Sequence, residues 1–228
     1  MRKTEHLLSM LMEMPPNFVN IEKELQDRKY SVEEVTLAAC RFAENCFCEC
    51  GDFEYNYGRT PKGEEVHSSY IYKICELLLK YGLAPNMLCG DCSDLTNIMY
   101  KLVYVDYAHI AAETMRLLLE NGGSPDIVID RETLFEFVDF TICHDSASLY
   151  GTEFCDENFY DRQFRIWLLM IGYGAKINRG ELPVKLIDGY SVENFKNFEN
   201  FAYKVAHSED DWTLHIIDKK KNIEVATL

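Results

Sequence analysis

One internal similarity constrains this chain more than any other feature. Leu77-Leu-Leu-Lys-Tyr-Gly-Leu-Ala-Pro-Asn86 lines up with Leu117-Leu-Leu-Glu-Asn-Gly-Gly-Ser-Pro-Asp126. A weaker copy is Leu168-Leu-Met-Ile-Gly-Tyr-Gly-Ala-Lys-Ile-Asn178. Each copy closes a helix with leucines, stops it at a glycine and leaves through a short extended segment ending in Asn or Asp. Glycine takes the left-handed conformation that ends a helix, and the Asn or Asp side chain bonds the backbone of the turn that follows. A unit this small cannot bury its own leucines, so the units must stack on one another. Leu78, Leu79, Leu118, Leu119, Leu168 and Leu169 are therefore the expected core.

The rest of the helical pattern agrees. Ser31-Val-Glu-Glu34 is a capping box, with Val32, Val35, Ala39, Phe42 and Ala43 behind it at helical spacing. Ser68 or Ser69 is placed to cap a helix through Ile71, Ile74, Leu78 and Leu79 that ends at Gly82. Further helices are expected over about Asp94–Val105, His109–Asn121, Thr133–His144 and Phe159–Tyr173. Between Cys50 and Ser69, the residues Gly51, Gly58, Pro61 and Gly63 mark a long loop. After Asn178 the period changes from helical to alternating. Phe201–His207, Trp212–Ile217 and Ile223–Thr227 read as three antiparallel strands of a meander that covers the end of the helical part.

The three glycine motifs resemble the ankyrin-repeat family, whose second helix ends in a leucine pair followed by Gly-Ala-x-x-Asn. Gly82 and Asn86, Gly122 and Asp126, and Gly174-Ala175 with Asn178 match that pattern. The family's first helix opens Thr-Pro-Leu-His. Thr133-Leu-Phe-Glu136 fits that position, while Asp94-Leu-Thr-Asn97 and Thr36-Leu-Ala-Ala39 are fainter versions. Phe18-Val-Asn20 belongs to a half-repeat cap on this reading. The glycine spacings are 122 − 82 = 40 and 174 − 122 = 52, against a usual period of about 33. The resemblance covers about residues 31–178. It implies a mainly α fold of ankyrin-like stacked helix pairs (a solenoid) over residues 1–180, with a small C-terminal antiparallel β meander over 181–228. It also implies binding of proteins through projecting turns and inner helices, and no chemistry of its own.

Composition narrows the partners. The 228 residues hold 23 basic and 38 acidic side chains, a net charge of −15. Such a body repels phosphate backbones, so no nucleic-acid partner is expected. The longest apolar run, near Ile166–Ile171, is far below the roughly 18–20 residues that span a bilayer, so no membrane partner is expected either. Glu5, His6 and Glu13 interrupt the N-terminal apolar residues as no secretory signal would. Nine cysteines, an odd number, and the lack of an Asn-x-Ser/Thr sequon point to a reduced, cytoplasmic setting.

Candidate chemistry is sparse. Cys46, Cys48, Cys50, Cys89 and Cys92 are zinc-like ligand types, but 39 residues separate Cys50 from Cys89, longer than compact zinc modules use. Cys40 and Cys75 read as core. Cys143-His144-Asp145 are neighbours on one helix and point apart, so they cannot form a triad with each other. No cofactor, metal site or catalytic residue is expected. The expected function is that of a non-catalytic protein-binding scaffold or adaptor. A narrower version is an immunity or antitoxin protein that neutralises a basic toxin, and the alternative class is an enzyme or zinc-binding module. The expected partner is another protein with a basic surface, met at the turns between units. Met87, Asp91, Asp94, Ile129, Asp130, Arg131 and Glu132 are the candidate contacts there, joined by Tyr55 and Tyr57 on the long loop, where tyrosines suit a recognition patch.

Overall fold

The fold is taken from a computed structural model, which describes residues 3–46, 69–90, 96–103, 108–129, 131–140, 157–176, 184–187, 189–208 and 211–227. They form a mainly helical body with a small antiparallel sheet near the C-terminal end. In chain order the helices are α1 (Lys3–Leu11), α2 (Phe18–Asp27), α3 (Val32–Glu44), α4 (Ile71–Leu79), α5 (Ile98–Leu102), α6 (Ala108–Glu120), α7 (Leu134–Phe140) and α8 (Glu157–Gly172). A two-stranded hairpin, β1 (Val128–Ile129) with β2 (Glu132–Thr133), lies between α6 and α7.

Local chemistry sets the helix boundaries. Ser31 Oγ accepts the Glu34 amide at 3.1 Å and the Glu34 carboxylate accepts the Ser31 amide at 2.8 Å, which completes the expected capping box. Thr133 and Glu136 repeat the device at the start of α7. Gly82, Gly122 and Gly174 all have positive φ, of 101°, 90° and 91°, just past the ends of α4, α6 and α8. Some boundaries differ from the sequence reading. Tyr70 rather than a serine precedes α4, and its side chain makes no cap bond. The helix expected from Asp94 begins only at Ile98, because Asn97 is its cap, accepting the Met99 amide at 2.8 Å.

The helices pack in an ordered way. Within pairs, α3 meets α4, α5 meets α6 and α7 meets α8. Between pairs, α3 meets α5, while α4 meets α6 and α6 meets α8. The Tyr100 ring of α5 lies 5.0 Å from that of Phe137 on α7. At the other end α1 packs on α3 and on α2. The core follows the leucine pattern: Leu78, Leu118, Leu119, Leu168 and Leu169 are buried. Leu79 is only partly buried, and Leu77 takes its place inside. The stripe of α4 is therefore turned by one residue relative to α6, whose buried pair is Leu118 and Leu119 rather than Leu117.

The sheet has the order β3 (Lys185–Leu186), β6 (Ile223–Thr227), β5 (Asp211–Asp218), β4 (Phe201–Ser208), antiparallel throughout. The three-strand meander is thus present and gains β3 as a fourth strand. Tyr203 pairs with Ile216 and Phe201 with Asp218, so these residues share a face. The side chains of Val205 and Trp212, on the same two strands, lie outside the described residues. The register shifts between Ile216 and Ile217, whose partners are Ala226 and Glu224, so Val225 is left over as a bulge. Val225 and Ala226 can then both be buried, which strict alternation forbids.

Two short 3-10 helices, Val192–Lys196 and Phe198–Asn200, lie between β3 and β4 in the chain and pack against α8. They bury Phe195 and Phe198 completely. The Arg116 guanidinium of α6 stacks over Phe198 at 4.7 Å and bonds Glu199 at 2.7 Å. The 3-10 segment, more than the sheet, covers the flank of α8 and α6. The sheet reaches α8 through Tyr203, whose ring is 4.6 Å from that of Phe164.

Candidate functional site

The segments joining one helix pair to the next are built alike and held from outside themselves. Asn86 does not bond its own turn. Its Nδ2 donates to the Gly122 carbonyl at 2.8 Å, and its Oδ1 accepts the Ser124 amide at 2.7 Å. Asp126 repeats the link one motif later, accepting the Lys176 amide at 3.3 Å. On the other side, Thr36 Oγ1 accepts the Ala84 amide at 3.1 Å.

Past these anchors each segment turns back through a short antiparallel pairing. In the first, Cys89 and Thr96 exchange backbone bonds of 2.8 and 2.7 Å. In the second, Val128 pairs with Thr133 and Ile129 with Glu132. Both are stitched to the helix that follows. The Pro85 and Met87 carbonyls accept from the Asn97 amide group at 2.7 and 3.0 Å. The Pro125 carbonyl accepts the Phe135 amide at 3.0 Å and the Ile127 carbonyl that of Leu134 at 2.8 Å. Asn97 therefore does for the first segment what Phe135 does for the second, and it is fully buried. The proper counterpart of Thr133 is Asn97, three residues later than Asp94.

At the matching position of each segment stands an exposed apolar side chain. Leu88 lies six residues after Gly82 and is 38% exposed, and Val128 lies six residues after Gly122 and is 54% exposed. The sequence reading missed both, although the equal offset from the two glycines was readable. Of the residues it proposed here, Arg131 and Glu132 are exposed, and Arg131 takes the left-handed conformation at φ 81° in the hairpin turn. Met87 is half-buried and packs on the core, and Ile129 is half-buried. Asp91, Asp94, Asp130, Tyr55 and Tyr57 lie outside the described residues. Tyr70, beside the long loop, is half-buried and lies against Phe18 at 6.3 Å.

The cysteines among the described residues are inward. Cys40, Cys46, Cys75 and Cys89 are free and buried, while Cys48, Cys50 and Cys92 lie outside the described residues, as do Cys143, His144 and Asp145. Among the described residues no cluster of three or more His, Cys, Asp or Glu could hold a metal ion, and no helix is long and apolar enough to cross a membrane. Glu113 and Glu199 flank the Arg116 guanidinium. Burial holds the Glu113 carboxyl above its usual range; burial is also the largest single influence on Glu199 and works against ionising it, but the Arg116 hydrogen bond, a backbone hydrogen bond and the Arg116 charge together outweigh it and keep that carboxyl below. These groups fasten the 3-10 segment to α6.

No protein-family model matches this chain, no curated protein matches it, and no solved structure matches it.

Proposed function

We propose that this protein is a non-catalytic, ankyrin-like scaffold of stacked helix pairs that binds another protein through the tips of its inter-pair segments. The observation that carries the reading is the matched placement of Leu88 and Val128. Two apolar side chains stand in water at the same offset, on segments that Asn86 and Asp126 tie to the following motif. Preorganised apolar side chains contribute to binding because little conformational entropy remains to be lost. The surrounding protein carries a net charge of −15, which attracts a basic partner and speeds encounter. A basic toxin is one partner of that chemistry. The free thiols of Cys40, Cys46, Cys75 and Cys89 are consistent with a reducing, cytoplasmic setting.

The test compares the wild-type chain with the double variant Leu88→Glu, Val128→Glu. Both positions are exposed, so the thermal unfolding midpoint should hardly move. Proteins retained from the native cell extract are quantified for both forms, and the one that differs is purified and titrated. The reading requires a basic partner whose affinity falls at least tenfold in the variant. Equal affinity for both forms would remove the tips from the site.

A further inference from the structure

Of the net charge of −15, only −2 falls on residues 184–228, which hold six lysines against eight carboxylates. Three of those lysines, Lys219, Lys220 and Lys221, are consecutive and exposed in the turn that joins β5 to β6. The turn is held in one shape. The Asn222 amide donates to the Asp218 carbonyl at 2.7 Å, and one Asp218 carboxylate oxygen accepts the Lys220 and Lys221 amides at 2.9 and 3.0 Å. The other oxygen accepts the Tyr190 hydroxyl at 2.9 Å, so this carboxylate fastens backbone and tyrosine and is itself buried.

Two isoleucines stand beside the turn. Ile223, the first residue of β6, is 45% exposed, and Ile187, just past β3, is 42% exposed. The Ile187 amide donates to the Val225 carbonyl at 2.9 Å, and the Ile187 carbonyl accepts the Tyr190 amide at 3.2 Å. The Lys221 ammonium lies 4.7 Å over the Tyr190 ring. The result is an apolar pair rimmed by lysines. The tips are its counterpart in charge. Residues 87–97, which carry Leu88, hold two acidic side chains and no basic one, and residues 126–136, which carry Val128, hold four against one. These two places account for four of the six large apolar side chains exposed among the described residues.

We propose that the Ile187 and Ile223 face of one copy of this chain docks on the Leu88 and Val128 tips of a second copy. The inference rests on the reading of the tips as a binding surface and names a basic occupant for them. Face on face would set lysines against lysines, and tip on tip would set acids against acids; like charges so placed oppose association. Face on tip covers four apolar side chains and sets ammonium groups against carboxylates. The contact is heterologous, so each end of a pair keeps a free surface and the assembly can grow. A basic partner of the tips competes with the second copy, and self-association sets the concentration at which the tips are free.

The experiment measures the mass of the full chain in solution, under reducing conditions, by sedimentation at concentrations up to about 1 mM. It compares wild type with a tip variant, Leu88→Glu with Val128→Glu, and a face variant, Ile187→Glu with Ile223→Glu. Wild type should gain mass with concentration, and each variant alone should stay monomeric. Their equimolar mixture should form a dimer and nothing larger, because one intact face and one intact tip surface remain between them. If the face variant does not fold, Lys220→Glu with Lys221→Glu on the exposed turn takes its place. A wild type that stays monomeric, a face variant that associates like wild type, or a mixture that forms no dimer overturns the proposal. The tip reading fails separately: a basic partner from the cell extract that loses affinity for the tip variant keeps that reading even where wild type is monomeric throughout.

Discussion

Gly172, the last residue of α8, lies against the backbone of Lys196. A β-carbon on Gly172 would stand 2.8 Å from the Lys196 amide nitrogen and 3.2 Å from the Phe195 carbonyl carbon. Both are backbone atoms of the 3-10 helix that buries Phe195, so neither can swing aside as a side chain would. Alanine in a helix ordinarily gains about 0.5–1 kcal/mol over glycine, but overpacking of a close contact costs about 1–3 kcal/mol. Gly172→Ala should therefore destabilise the protein, by about 1–2 kcal/mol in chemical denaturation. Gly174→Ala offers the comparison: open space surrounds it, yet its φ of 91° is strained for any side chain. Its cost, of order 1–3 kcal/mol, should arise from backbone strain alone, without disturbing Phe195.

How much of this was readable depends on the kind of signal. The Ser31 and Glu34 box, the glycines at 82, 122 and 174 and the three long strands each rest on a local rule, and each stands where the residues put it. The α5 boundary was misplaced because Asp94, Thr96 and Asn97 all have capping chemistry, and tertiary bonds to Pro85 and Met87 choose Asn97. The 3-10 helices around Phe195 and Phe198 carry no 3.6-residue stripe, and β3 is two residues long, so neither leaves a periodic trace. At the tips, charge drew attention to the acidic residues. Leu88 and Val128 carry no charge, and what sets them apart is burial next to them in the chain: Met87 is half-buried against the core and Ile129 is half-buried.

Asn86 makes two hydrogen bonds to the following motif where Asp126 makes one, and at longer distance. A net bond contributes about 0.5–1.5 kcal/mol. Asn86→Ala should thus cost about 1–2 kcal/mol and Asp126→Ala about half as much, measured as denaturation midpoints at equal slope. Asn86→Asp should be as harmful as alanine or worse. It keeps the acceptor for Ser124 but sets a carboxylate oxygen against the Gly122 carbonyl. Equal costs at 86 and 126 would mean that the link to Gly122 contributes nothing.

Asp218, at the end of β5, accepts the Lys221 and Lys220 amides at 3.0 and 2.9 Å and the Tyr190 hydroxyl at 2.9 Å. The Lys221 amide first, then Tyr190 and Lys220, hold its carboxyl below the usual range. A carboxyl lowered in the folded state adds stability that is present above its unfolded value, about 3.9, and lost as pH falls through the lowered folded value. Asp218→Asn removes that contribution. The gap between wild type and variant in urea midpoints should be constant near neutral pH and narrow as pH falls below about 4. A gap that widens on acidification would show that Asp218 is not held ionised by this turn.

Arg116 joins α6 to the 3-10 segment by two different forces. Its Nη2 bonds Glu199 at 2.7 Å, and its plane lies 4.7 Å over the Phe198 ring. It also reaches Glu113 at 3.3 Å, while its buried Nε has no hydrogen-bond partner among the described residues. The Arg116 and Glu199 side chains are 21% and 40% exposed, so solvent screens their attraction, and the pair alone is worth about 0.2–1 kcal/mol. Stacking on the ring adds about 0.5–1 kcal/mol. Lysine at this position keeps the charge and removes the orphaned Nε–H, but it cannot span two carboxylates or lie flat on Phe198. Arg116→Lys should therefore still destabilise, by about 1 kcal/mol. In a double-mutant cycle with Glu199→Gln the coupling should stay below about 1 kcal/mol and shrink with added salt. A cycle with Phe198→Leu should show coupling that salt leaves unchanged, because stacking survives screening. If salt erased the coupling to Phe198 as well, the ring would be packing filler and Arg116 would hold the C-terminal segment by charge alone.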